Sequence, residues 1–204
     1  MRDVLADQLP DLETTTTGTF AWAPTLTSVS RQALFAGEVP QYLPGSILST
    51  AKEAALWSAF WTTRGLTPDQ VGFQKGLAEN GGQPKLDALL AQPRTRVLGL
   101  VVNAVDNILH GATLGIAGVH SQVRQWASQG HFSEMLRRLL DEGFVVYITA
   151  DHGNVEACGI GNPAEKALAN LRGEWVRVYP NETWGLTDLL ITHRKAMVAE
   201  SYQG

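Results

Sequence analysis

Arg96-Val97-Leu98-Gly99-Leu100-Val101-Val102 and Phe144-Val145-Val146-Tyr147-Ile148-Thr149 are the two stretches that decide the fold of this chain. Each is an almost unbroken apolar run of strand length, the pattern of a strand covered on both faces. Between them, residues from about Val119 to Asp141 read as a helix broken at Gly130, and Gly143 marks the turn into the second run. Strand, helix and strand in that order build a parallel sheet, whose ligands gather in the crevice beyond the carboxyl ends of its strands. Acidic and histidine residues stand at both of those ends: Asn103, Asp106 and His110 after the first run, and Asp151-His152-Gly153-Asn154 after the second. The expected fold class is α/β, with a mostly parallel central sheet flanked by helices.

Upstream of these runs, a short helical piece around Val4 to Leu9 is stopped by Pro10, and the polar tract Thr14 to Thr17 reads as a loop. Phe20-Ala21-Trp22-Ala23-Pro24 is a short extended approach to a helix over Ser28 to Ala36, which Gly37 ends in the position a C-cap favours. Thr27 falls at or near the start of that helix. Glu38 to Pro93 is rich in Gly and Pro and carries an aromatic helical piece from Thr50 to Trp61. A single domain over 1–204 with an insertion at about 38–93 is the expected organisation. In the tail, Trp175 to Tyr179 reads as a strand, followed by a helical piece.

Composition narrows the function classes. A chain of 204 residues, 44% hydrophobic and 18% charged, is large enough to bury a core. Its net charge of −4, with Lys and Arg scattered, advertises no basic surface for nucleic acid. The lone Cys158 forms no internal disulfide, the charged start Met1 to Asp7 is unlike a secretory signal, and no apolar run approaches the roughly 18 residues of a spanning helix. The expectation is a cytoplasmic protein with no membrane segment.

Asp106 and His110 form D-x-x-x-H, and Asp151 and His152 form an adjacent pair; carboxylate oxygen and imidazole nitrogen are the donors that divalent zinc or manganese accepts. Pro24-Thr25-Leu26-Thr27-Ser28-Val29-Ser30-Arg31 adds a hydroxyl nucleophile with a cation four residues on. A threonine hydroxyl is a poor nucleophile at its free pKa, and a metal ion beside a helix N-terminus activates it. Arg31, one turn later, suits a phosphate oxygen. The plain alternative is that Thr27 caps the helix and Arg31 is a solvated surface residue. His120 and His131 lie in helical surroundings, Trp57, Phe60 and Trp61 have the spacing of a packed helix, and Cys158 reads as a structural thiol.

P-T-x-T-x-x-x-R, then an apolar helix and Gly, then strand-D-x-x-x-H, then strand-T-A-D-H-G, is an order that resembles the alkaline-phosphatase superfamily. The stretch Pro24 to Gly37 is most similar to PglZ domains of BREX-type phage-resistance systems. The resemblance, over about residues 1–160, implies an alkaline-phosphatase-like core. It also implies a metal-dependent phosphoester hydrolase, phosphodiesterase or phosphatase, with Thr27 as the metal-bound nucleophile and Thr25 as the lesser choice. Two divalent ions are implied, zinc or manganese, one at Asp151 and His152 and the other at Asp106 and His110. The family pattern also includes an initial strand ending in a metal-binding Asp and a late H-G-G histidine. Neither is found here, so the resemblance implies a core truncated at both ends, with His193 the downstream candidate. Implied partners are a phosphoester substrate, nucleic acid or nucleotide among them, and phage-defence proteins. The competing reading is a catalytically incomplete interaction domain of a defence complex.

Overall fold

Val71-Gly72-Phe73-Gln74-Lys75 forms strand β1 (Val71–Lys75), which lies parallel to β2 (Val97–Val101) in the register Val71↔Val97 to Lys75↔Val101. The computed structural model describes residues 2–21, 25–39, 49–77 and 83–153, together with the backbone of 171–172 and 177–178. Parallel strands need a crossover, and α4 (Gln83–Leu90) lies between β1 and β2 in the chain. The expected strand over Arg96 to Val102 thus forms, and its described partner comes from within 38–93. Part of the segment expected as an insertion therefore belongs to the sheet. Local reading misses β1 because Gly72, Gln74 and Lys75 break its apolar pattern.

The register sorts the sheet into two faces. Phe73 and Gly99 are partners and share one face, toward α2 (Thr27–Ala36) and α3 (Glu53–Thr62). There Phe35 packs edge-on to Phe73 at 5.0 Å and to Trp57 at 5.8 Å, and Trp57 Nε1 donates to the Gly72 carbonyl at 3.1 Å. Trp57, Phe60 and Trp61 form a ring cluster, as their helical spacing predicts. On the other face Leu98 and Leu100 pack against the core of Leu9, Leu77, Leu86, Phe132, Met135, Leu136 and Leu139. Four of these come from α7 (His131–Asp141), at the i, i+3, i+4 and i+7 spacing of a buried helix stripe.

The helix expected over 119–141 divides, as anticipated, into α6 (Gly115–Ser128) and α7, with Gly130 between them at φ 84°. Gly37 ends α2 in the left-handed region at φ 64°. The first helix, α1 (Arg2–Gln8), is tied to this layer by Gln8 Nε2 donating to the Ala127 carbonyl and Arg137 donating to the Gln8 carbonyl. His120 and His131 are exposed.

Phe144–Thr149, expected as a second buried strand, is a correction. Among the described residues it joins no ladder. Phe144 and Val146 pack on the core while Val145 and Tyr147 are 78% and 89% exposed, an in-and-out alternation of period two without a strand beside it. Apolar composition sets which side chains go inward, but a strand also needs a partner for its backbone.

Backbone contacts divide the chain into units over Met1–Ala157 and Cys158–Gly204. In the second, β3 (Leu171–Arg172) pairs antiparallel with β4 (Arg177–Val178); β4 lies inside the strand expected over Trp175 to Tyr179, and β3 lies before it. No helix among the described residues is long and apolar enough to cross a membrane.

Gly99 offers a direct test of the packing. A Cβ there would lie 2.8 Å from Phe73 and 3.0 Å from Trp57 Nε1. Overpacking of this kind costs about 1–3 kcal/mol, so Gly99→Ala is expected to lower the urea midpoint accordingly, while Gly143→Ala, with open space around the position, tests only the strain of φ 83°.

Candidate functional site

Thr27 is the first residue of α2. The preceding residue, Leu26, has extended backbone, and its carbonyl accepts the first helix bonds from Val29 and Ser30. No side chain caps this end, so the Thr27 hydroxyl is not engaged as a cap. It meets His152 instead: Thr27 Oγ1 lies 3.4 Å from His152 Nε2, across 125 residues of sequence. Thr25, the lesser candidate, is exposed, and Trp22 to Pro24 lie outside the described residues.

The histidine is oriented by its neighbours. His152 Nδ1 is 2.9 Å from the Gly153 carbonyl. A carbonyl only accepts, so Nδ1 is the donor in this contact, and Nε2 is the ring nitrogen that faces Thr27. Asp151 Oδ1 accepts the His152 backbone N–H at 3.1 Å, and Oδ2 is 3.7 Å from Nε2. Both side chains are mostly buried, at 24% and 15% exposure. Thr27 and Asp151 thus each approach His152 Nε2, although the run before Asp151 joins no ladder among the described residues.

These donors suit a divalent cation. A tetrahedral ion with bonds of about 2.0–2.1 Å places its ligands about 3.4 Å apart, and the separations from Nε2 are 3.4 Å to Thr27 and 3.7 Å to Asp151. A separation of 3.4 Å is long for a hydroxyl–imidazole hydrogen bond but close to a ligand–ligand edge. Hydroxyl, carboxylate and imidazole are donors that zinc or manganese accepts.

Asp106 and His110 stand on α5 (Ala104–Gly111), an i, i+4 pair with His110 Nε2 3.4 Å from Asp106 Oδ1. Asp106 is in the first turn and His110 in the last, where the helix dipole favours each charge. They are 50% and 80% exposed. Among the described residues, no three His, Cys, Asp or Glu side chains come together as a metal-binding group, so the two acid–histidine pairs remain separate. Asn103 flanks α5 as its N-cap without a side-chain capping bond. His193, Cys158 and Asn154 lie outside the described residues.

Arg31 is not a solvated surface residue. It is 14% exposed, and its Nη2 lies 2.9 Å from Oε2 of Glu53, a fully buried carboxylate at the start of α3. Lys75, at the carboxyl end of β1, pairs with the same Oε2, and its Nζ also donates to the Thr50 carbonyl at 2.7 Å. Sequence reading missed Glu53 and Lys75. The first looks like an ordinary first-turn acid and the second like a strand-end charge, and nothing local links them.

Residues 3–202 match the profile of a family described as the BREX system PglZ alkaline phosphatase-like domain. No curated protein and no solved structure matches the chain.

Proposed function

Because the chain belongs to the family of BREX PglZ alkaline phosphatase-like domains, we propose that it is a phosphoester hydrolase of phage defence whose nucleophile is Thr27 Oγ1. The observation that carries this reading is the approach of that hydroxyl to His152 Nε2, with the ring anchored through Nδ1 on Gly153.

Each residue then has a task. The N-terminus of α2 favours negative charge at Oγ1. Asp151 fixes the backbone of His152, Gly153 fixes its ring, and together they hold Nε2 beside the hydroxyl. Arg31, one turn beyond Thr27, neutralises charge on the phosphoryl oxygens. Oγ1 passes its proton to solvent and bonds to phosphorus, the ester P–O bond breaks, and the departing oxygen takes up a proton from solvent. Water then cleaves the phosphothreonine P–Oγ1 bond, releasing phosphate from a monoester or a phosphomonoester from a diester and restoring the hydroxyl. Thr27, Asp151 and His152 would hold one divalent ion, zinc or manganese, and Asp106 and His110 would give two donors to another. Bound there, such ions supply Lewis-acid stabilisation of anionic oxygen.

The test is elemental analysis of the purified chain supplied with zinc or manganese, beside hydrolysis of bis(p-nitrophenyl) phosphate and p-nitrophenyl phosphate. Bound metal and turnover in the parent, both lost in His152→Ala, are expected. Turnover that is indifferent to His152→Ala, or absent from a metal-loaded parent, would refute the reading.

A second reading, a non-catalytic subunit of a defence complex, draws on the exposed Val145, Tyr147 and Ile148, large apolar side chains beside the site. It predicts stable co-purification with defence proteins, weakened by Tyr147→Lys, and no turnover.

A further inference from the structure

We infer that Lys75 is a second phosphoryl-binding cation beside Arg31, and that Glu53 is the positioning residue that holds the two together. This rests on the phosphoester reading above. Arg31 and Lys75 come from different elements, α2 and β1, and both converge on one oxygen, Glu53 Oε2. Two like charges brought that close repel one another, and a single carboxylate offsets only one of them. The cluster therefore carries a net charge of +1. No second carboxylate pairs with either cation among the described residues.

Burial makes the arrangement directional. Glu53 has no exposed side-chain surface, whereas Arg31 is 14% and Lys75 35% exposed. The negative charge is at the bottom of the cluster and the surplus positive charge faces outward. Glu53 Oε1 is also buried with no hydrogen-bond partner among the described residues. Among the described residues, both cations therefore meet Oε2 and none meets Oε1.

Placement matches the reaction. Arg31 follows Thr27 by four residues on α2, so both occur on one side of the helix. Lys75 closes β1 at the carboxyl end of the parallel pair, the edge where α/β sheets bind ligands. A planar guanidinium and an ammonium sharing one anchor present donors in two directions, which suits the non-bridging oxygens of a tetrahedral phosphoryl group.

Binding of inorganic phosphate to the metal-free chain, followed by 31P NMR titration, tests this without requiring turnover. Lys75→Met is expected to weaken phosphate binding about tenfold, the loss of one charge-assisted contact, while Lys75→Arg stays within about threefold. In Lys75→Met, Glu53 keeps Arg31, so the fold survives, as circular dichroism would show. Glu53→Gln, which keeps the shape and removes the charge, is expected to weaken phosphate binding despite leaving both cations in the chain. Unchanged phosphate affinity in Lys75→Met, or no phosphate binding by the parent, would overturn the proposal. The hydrolase reading fails separately: phosphate binding that depends on Lys75, in a chain that shows no turnover even when loaded with metal, would refute hydrolysis and leave the anion site standing.

Discussion

Thr27→Ala is expected to reduce phosphoester hydrolysis by at least about a thousandfold, because removing the proposed covalent nucleophile leaves only binding and electrostatic stabilisation. The loss should fall on kcat, with little change in KM, since in the proposed mechanism Oγ1 bonds to phosphorus only as the reaction proceeds. Stability should change by less than about 1 kcal/mol. Thr27 is half-buried, its hydroxyl makes no capping bond, and alanine is the best helix former at the position it leaves. Thr27→Ser keeps the oxygen and should retain measurable turnover. Steady-state rates on a chromogenic diester and monoester, with urea unfolding of the same preparations, separate the two effects. Undiminished turnover in Thr27→Ala would remove this residue from the chemistry.

Glu53→Ala is expected to be the most destabilising of the charge substitutions, by about 3 kcal/mol. It leaves Arg31 and Lys75 facing each other without their common counter-ion, and it empties a site with no solvent access. Lys75→Met should cost far less, about 1 kcal/mol, since Lys75 is a third exposed and its departure leaves Glu53 paired with Arg31. Replacing all three with apolar residues of similar size should recover much of the stability lost in Glu53→Ala, because a buried ion cluster repays little of its desolvation. The same triple variant should bind phosphate weakly. Stability restored without anion binding would separate the cluster's function from any structural service. Equal losses in Glu53→Ala and the triple variant would instead make the ion pairs a structural device.

Several parts of the chain were legible one segment at a time. The periodicity of residues 119–141 and the glycine at 130 specify two helices, the run before Asn103 specifies a strand, and the positive φ at Gly37 follows from the only residue type that adopts it without cost. Residue chemistry likewise singled out Thr27, Asp151 and His152 as candidates. These are local properties, set by backbone preference and side-chain type. By itself, then, the sequence determined the helices around the site, the β2 strand, the family and a short set of reactive groups.

What the tertiary structure decided depends on partners far apart in the chain. Whether Phe144–Thr149 forms a strand depends on a neighbour for its backbone, which its own apolar pattern does not specify. Whether Val71–Lys75 forms one was decided by β2, which supplies the ladder that Gly72, Gln74 and Lys75 do not advertise. The meeting of Thr27 with His152, the separation of Asp106 and His110 from it, and the convergence of Arg31 and Lys75 on Glu53 are likewise products of packing. Charges and hydrogen-bonding groups act over a few ångströms, and only the folded chain sets those distances.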